Sequence, residues 1–403
     1  MGRLTTLSEW LNWQENLHDE EIDLGLERIQ TVCSKLFPNG VDFTTITVAG
    51  TNGKGSTIAF IDSIYQQSSY SVAKFTSPHI LDYNERFVIN GARATSAQIC
   101  AAFEQIEQVR GATSLTYFEF STLAALLIFT QQDVDIAILE IGLGGRLDSV
   151  NVVDADIAVI TNIAIDHVDY LGATRALIGH EKAGIMRRNK PCICGDSNPP
   201  LALKKHADKI GAMLEFVDLP YSGALSLIGE HQRQNAALAV LCIEKLNNKF
   251  KVNPQLIRQG LQNAQLAGRF QIKNINHKQI IFDVAHNEAA IKALAKQLAK
   301  DNQPTLAIFS ALKDKNIALM INAISPLIDQ WHLVPLKVRR AAEIAFLIDQ
   351  FSLKDSISAY DNMALAVNEA LNQQTCQRIV VFGSFHVVAD GLKTLDTFYK
   401  QQS

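Results

Sequence analysis

Eight consecutive residues carry the strongest chemical signal in the chain: Gly50-Thr51-Asn52-Gly53-Lys54-Gly55-Ser56-Thr57. Glycines let backbone N–H groups turn inward around phosphate oxygens. Lys54 can reach terminal phosphates as a point charge, and Ser56 or Thr57 can offer a hydroxyl to Mg2+. The spacing departs from the common GxxxxGK[ST] form, because only two residues separate Gly50 from Gly53 and Gly55 follows the lysine. A glycine-rich turn without a ligand is the competing reading, and the lysine and hydroxyls weigh against it. Glu140 closes the apolar run Ile136-Ala137-Ile138-Leu139. An acid at the end of a buried strand, beside a phosphate loop, can ligate Mg2+. Taken alone it reads equally as a strand-end ion pair, and Gly142-Leu143-Gly144-Gly145 behind it favours close backbone approach to a ligand.

Other residues are ambiguous by themselves. His167 follows an apolar strand, but Mg2+ prefers oxygen to imidazole, so its residue type reads as a structural histidine. Lys182, next to Glu181, reads as a solvated helix lysine, Asn235 as a helix-surface asparagine and Arg269 as a linker arginine. Phe118 is equally core or pocket wall. Asp283 and His286 sit just past a buried strand and ahead of a helix, at the ligand-facing edge of an α/β sheet.

The elements that must hold these groups alternate along the chain. Thr45–Ala49, Val134–Ile141 and Ile157–Ile160 are short, apolar and β-branched, and read as buried strands. Pro191–Cys194 and Met213–Val217 are weaker strands. Helical spacing covers Ser56–Gln67, Ser96–Val109, Glu119–Thr130, Arg175–Arg187, Leu201–Ile210 and His231–Leu246. The alternation predicts an α/β fold with a mostly parallel, helix-covered sheet. It restarts after Arg269 with strands at Phe270–Ile275, Gln279–Val284, Leu306–Phe309, Trp331–Val334, near Ile357 and at Arg378–Phe382. Helices are expected at Glu288–Ala299, between Phe309 and Trp331, at Ala342–Phe351 and at Asn362–Gln373. The expected division is residues 1–268 and a smaller 269–403 unit, jointed at Ala267-Gly268.

Composition excludes several classes. With 47% hydrophobic residues and a formal net charge of −4, disorder is not the main state. No apolar run approaches the ~20 residues of a membrane span, and acids among the first residues argue against a signal peptide. Cys192 and Cys194 have no second pair, so zinc is not expected. Six cysteines in so long a chain point to the reducing cytosol. The absence of any Lys/Arg run argues against a nucleic-acid partner.

Further stretches accompany the phosphate loop, in order. They are Ile22-Asp23-Leu24-Gly25-Leu26-Glu27-Arg28, Thr76-Ser77-Pro78-His79, Tyr83-Asn84-Glu85-Arg86 and Leu115-Thr116-Tyr117-Phe118-Glu119. Then come Leu139 to Asp148, Glu181-Lys182-Ala183-Gly184-Ile185, Gly268-Arg269-Phe270, Phe282 to Asn287 and Gly383-Ser384-Phe385-His386. From about residue 10 to about residue 390 the chain resembles the Mur ligase superfamily, in its folylpolyglutamate synthase and dihydrofolate synthase branch. The resemblance implies an N-terminal P-loop ATPase-type domain and a C-terminal Rossmann-like α/β domain. It implies ATP-dependent amide formation: the γ-phosphate of ATP goes to a substrate carboxylate, and an amine displaces phosphate from the acyl phosphate. Phosphoryl transfer asks mainly for positioning and charge neutralisation.

By the same resemblance, Ser77, Glu140 and His167 hold a Mg2+ ion, in a site with two such ions, and Lys182 is carbamylated in support of them. Asn235 contacts adenine, Arg269 an ATP phosphate and Asp283 the nucleotide. His286 with Ser384 holds the incoming glutamate. Asp23, Leu24, Thr116, Phe118, Leu147 and Asp148 bind 7,8-dihydropteroate. The role of His386 is undetermined. The implied activity joins L-glutamate to 7,8-dihydropteroate and then lengthens the glutamate tail of reduced folates, in a monomer. Tail lengthening only, another Mur-type amino-acid ligase, a nucleotide-binding regulator and a P-loop kinase are the alternatives.

Overall fold

Buried apolar runs separated by helices assemble into two sheets in the computed structural model, which describes residues 4–275, 277–352 and 356–402. One compact unit holds the described residues up to Ser226 together with Gln232–Gln265. The other holds Leu227–His231 and the described residues from Leu266 onward.

The first unit contains an eight-stranded sheet. Its strands are β1 (Thr44–Ala49), β2 (Val72–Phe75), β3 (Phe87–Ile89), β4 (Ala92–Arg93), β5 (Ile136–Glu140), β6 (Ile157–Ile160), β7 (Pro191–Cys194) and β8 (Met213–Phe216). Their order is β4-β3-β2-β5-β1-β6-β7-β8. Pairing is parallel from β2 through β8 and antiparallel only at β2/β3 and β3/β4. β1, β5 and β6 are buried along their whole length, as a parallel sheet covered on both faces requires. The helix Tyr117–Gln131 is buried continuously from Glu119 to Phe129 and forms the middle of this core.

The second unit has six strands: β9 (Gln271–Ile275), β10 (Lys278–Asp283), β11 (Thr305–Phe309), β12 (Gln330–Leu333), β13 (Ile357–Ala359) and β14 (Arg378–Phe382). The order is β13-β12-β11-β14-β10-β9, parallel except for β9. Phe309, Trp331 and Phe382 pack with ring centroids 5.1–6.0 Å apart in its core. Two α/β sheets, mostly parallel, are thus what the alternation predicted.

Several boundaries differ from expectation for identifiable reasons. The helix expected at Glu119 begins at Tyr117, because Thr116 and Glu119 form a reciprocal capping box. The helix expected to reach Arg187 stops at Ala183. There Gly184 presses on Arg146, whose N–H donates to Glu181 O. The expected helix Ala342–Phe351 shrinks to Ile344–Ile348, since Ala341 is bridged to Leu312 and Ala342 N–H donates to Ala311 O. Helices Leu7–Gln14, Glu27–Leu36, Pro254–Asn263 and Phe385–Gln402 were not anticipated. Among the described residues no helix is long and apolar enough to cross a membrane.

Candidate active site

The C-terminal ends of β2, β5, β1 and β6 lie side by side, where ligands bind in open α/β sheets. The phosphate loop leaves β1 at Gly50, with φ +153°, and a Cβ there would fall 1.7 Å from Thr161 Oγ1. Gly53, at φ +86°, caps the helix Lys54–Gln66, and a Cβ on it would meet Asn235 Oδ1 at 2.6 Å. Only glycine fits at these two positions, so the backbone can curl around an anion at a helix N-terminus. Asn235 is buried against that curl, and its Nδ2 donates to Gln232 Oε1 at 2.9 Å. Lys54 Nζ folds over the loop and donates to Gly50 O at 3.0 Å. Ser56 and Thr57 are buried, and the Thr57 hydroxyl has no hydrogen-bond partner among the described residues.

Neighbouring strand ends bring in the predicted ion-binding groups. Glu140 lies opposite Val48 in the β1/β5 register, and its Oε2 accepts the Ser77 N–H at 3.1 Å. The segment after β6 is laced to the phosphate loop. Thr51 N–H donates to Asn162 O at 3.0 Å, and Asn52 N–H to Asn162 Oδ1 at 2.8 Å. The Thr51 hydroxyl both accepts from Ala164 N–H and donates to Ala164 O. Three residues further on, His167 takes a left-handed backbone, φ 50° and ψ 46°, uncommon for a side chain with a Cβ. The carboxylates and hydroxyls present suit a hard divalent cation. No three His, Cys, Asp or Glu side chains among the described residues form a ready cage.

Lys182 contradicts its reading as a solvated lysine. It is buried, and its ammonium is pushed down to about 7 by burial and by Lys54, with Asp166 and Asp148 opposing. A neutral amine is the form that reacts with CO2. Asp148 is also buried, and burial pushes its carboxyl up to about 6, against the N–H groups of Leu143, Val150 and Gly142 and the charge of Lys54. Its Oδ2 accepts Leu143 N–H at 2.8 Å and its Oδ1 accepts Val150 N–H at 3.0 Å. Asp148 therefore shapes the Gly142–Gly145 loop.

The residues assigned to the pterin also converge. Phe118 stacks on Phe75 at 5.7 Å, and a Cβ on Gly142 would stand 2.6 Å from its ring. Leu24, Phe118 and Leu147 are half-buried, as pocket walls are. Gly25 N–H donates to Leu147 O at 3.2 Å, fastening the N-terminal segment there. Asp23 pairs with Arg28 and His18, and Arg28 also reaches buried Glu119 at 3.4 Å. The Thr116 hydroxyl is occupied as a helix cap. Sequence reasoning assigned no site role to His18, Arg28 or Glu119, although Arg28 and Glu119 stand in the stretches that carry the resemblance and the T-x-x-E spacing of Thr116 and Glu119 was a usable signal.

In the second unit, Asp283 ends β10, and its carboxylate accepts the N–H groups of Phe270 and Ala285, both at 2.9 Å. Burial raises its proton affinity, and Arg269 opposes this. The Arg269 guanidinium lies 5.4 Å from the Phe385 ring centroid. His286 Nδ1–H donates to Val284 O at 2.8 Å, and its ring packs 5.8 Å from Phe385. Ser384 is buried, its Oγ accepting Val387 N–H at 3.1 Å to cap the helix Phe385–Gln402. Arg269, Asp283, His286 and Ser384 thus gather at the adjacent ends of β10 and β14. Burial lowers the His386 pKa; Arg340 lowers it too, and Asp390 opposes.

A phosphate loop on a parallel sheet, with an acid at a neighbouring strand end, a histidine on the segment that follows the next strand and a second α/β unit, defines an ATP-dependent ligase of the Mur type. Residues 48–209 match the Mur ligase middle domain, and residues 268–385 match the Mur ligase glutamate ligase domain. The chain belongs to the dihydrofolate synthase/folylpolyglutamate synthase family. It is 37% identical to that enzyme of Escherichia coli, over 97% of this chain and 96% of the relative. It is 31% identical to that of Bacillus subtilis, over 92% and 95%. Among solved structures, Escherichia coli FolC in complex with DHPP and ADP superposes with a TM-score of 0.92 at 37% identity, covering 99% of both chains. The Yersinia pestis enzyme complexed with AMPPNP and Mn ion gives 0.90 at 36%, covering 97% and 98%.

Proposed function

We propose that this chain joins L-glutamate to 7,8-dihydropteroate and adds further glutamates to reduced folates, each time through an acyl phosphate made with ATP. The observation that carries the reading is the lacing of the phosphate loop to the β6 segment beside the Glu140–Ser77 pair. It gathers a cation, a carboxylate and the His167 segment around one anion-binding curl. The pterin-assigned loops at the same sheet edge support the substrate class, as do the names of the relatives.

In this reading the backbone of Gly50 to Gly55 and Lys54 bind the phosphates, with Asn235 on the adenine. A divalent ion, Mg2+ by preference, would be held by Ser56, Ser77, Glu140 and His167, and neutralises phosphate charge when bound. Lys182, as a carbamate, would add a carboxylate to that site. In the second unit Arg269 and Asp283 are assigned to ATP, and His286 with Ser384 to the incoming glutamate. The glutamate amine attacks the acyl carbon, loses a proton and expels phosphate. Asp23, Leu24, Thr116, Phe118, Leu147 and Asp148 form or shape the pterin pocket, Thr116 and Asp148 through the backbone they hold. The protein acts as a monomer in the cytosol, where its six free thiols stay reduced.

ADP release measured against dihydropteroate and against tetrahydrofolate, with and without glutamate, tests this directly. Glutamate-dependent release with both acceptors is expected. Release with tetrahydrofolate alone would leave only tail lengthening, and release with neither would overturn the reading.

A further inference from the structure

His167 hangs from a segment whose backbone is held on both sides. From the phosphate-loop side, Thr51 and Asn52 take up Asn162 and Ala164, as described above. On the other side, a single ion pair takes both polar backbone groups of the residue between them. Asp196 Oδ2 accepts the Ile163 N–H at 2.7 Å, and Arg175 Nε donates to Ile163 O at 2.7 Å. The two side chains are joined to each other, Arg175 Nη2 reaching Asp196 Oδ1 at 2.9 Å and Oδ2 at 3.0 Å. Asp196 is itself fixed by the Asn198 N–H at 2.9 Å, and Arg175 by Asn198 O at 2.9 Å. Arg175 opens the helix Arg175–Ala183, which carries Lys182 near its other end.

We propose that the Arg175–Asp196 pair is the positioning device of the divalent-ion site, holding Ile163 so that His167 keeps its left-handed backbone and its place beside the phosphate loop. The proposal rests on the ion-site reading given above. A left-handed histidine persists only where its surroundings over-determine it. The His167 N–H donates to Asp166 Oδ1 at 2.9 Å and its carbonyl accepts the Tyr170 and Leu171 N–H groups at 3.0 Å, while Ile163 anchors the segment that carries this turn. The guanidinium is needed for its geometry. One planar fork serves a carboxylate and a carbonyl together, which a lysine ammonium cannot do from the same position. Groups that orient a metal ligand without touching the metal commonly change affinity by about 10–100-fold.

The test is Mn2+ binding, followed by electron paramagnetic resonance of free Mn2+ in the presence of a non-hydrolysable ATP analogue. Wild type is compared with Arg175→Met, Arg175→Lys and Asp196→Asn, with thermal unfolding as the check on folding. The expected result is Mn2+ binding about 10–100-fold weaker in Arg175→Met, with a smaller loss in Arg175→Lys. Analogue binding without metal should stay within about twofold, and excess Mg2+ should restore kcat. A purely structural pair would lower the unfolding temperature and leave Mn2+ affinity alone. Should Arg175→Met not fold, Arg175→Lys and Asp196→Asn carry the same comparison. Folded variants with wild-type Mn2+ affinity would overturn the proposal alone. Wild-type protein lacking nucleotide-dependent Mn2+ binding would overturn the ion-site reading and this proposal with it.

Discussion

Lys182 offers the sharpest perturbation. Its amine is driven from 10.5 to about 7 by burial and by Lys54. At pH 7 roughly half of such amines are neutral, against roughly one in 3,000 for an ordinary lysine. CO2 adds only to the neutral form, so the reactive fraction at pH 7 is about 1,000-fold that of an ordinary lysine. Protein equilibrated with 13C-bicarbonate at pH 8 should show one protected carbamate carbon by NMR, lost in Lys182→Ala. An arginine at this position keeps a cation that cannot become neutral, so Lys182→Arg should lower kcat at least about 100-fold. Folding gives a second readout. Between about 7 and 10.5 the unfolded chain holds a proton that the folded amine has lost, so stability of the unmodified protein rises with pH across that window. The full span is worth about 5 kcal/mol as an order of magnitude. A carbamylated lysine shows no such rise. A Lys182 that titrates near 10, with no carbamate signal and activity indifferent to bicarbonate, rules out a carbamate at this position.

Other outcomes follow from single contacts. Gly50→Ala places a methyl into Thr161 and should abolish ATP binding measured by calorimetry while the fold survives by circular dichroism. Gly142→Ala pushes on Phe118 and Asp148, and should raise the KM for dihydropteroate about 10-fold or more with the KM for ATP little changed; equal effects on both would count against the pterin pocket. Asp148, raised from 3.8 to about 6, contributes stability that is present below its unfolded pKa and lost as pH rises through about 6. Asp148→Asn should flatten the denaturant-derived stability curve between pH 4 and 6, by about 3 kcal/mol at most. Ser384→Ala removes a helix cap worth about 1 kcal/mol and should raise the KM for glutamate, which separate melting and kinetic measurements resolve.

The phosphate loop, the strands beside it and the acid at the end of β5 were legible because each is a local pattern. Glycine, lysine and hydroxyls stand together in sequence, and Glu140 interrupts an apolar run where a strand must end. The alternation of elements in both units was legible for the same reason. Lys182 and Asn235 were legible only through the family resemblance, since their residue types describe exposed positions, whereas in the fold they are buried and packed closely against Gly145 and Gly53. The Arg175–Asp196 pair and the roles of His18 and Arg28 were hidden. Arg175 and Asp196 stand on different elements, and for His18 and Arg28 the sequence showed a motif at most, not the pairing with Asp23 that joins them. Short helices such as Leu7–Gln14 and Pro254–Asn263 were missed despite usable caps, Thr6 with Glu9 and Asn253 before a proline.

The segment between Gln14 and Glu27 has no regular structure, and a handful of side-chain bonds with one backbone bond to Leu147 fasten it. The triphosphate grip, by contrast, is woven into central strands that cannot shift without wrecking the core. In the proposed reading, acceptor choice thereby rests in part on a stretch that the core does not depend on. An architecture arranged this way can exchange one carboxylate-bearing molecule for another over evolutionary time while its energy-coupling machinery stays untouched.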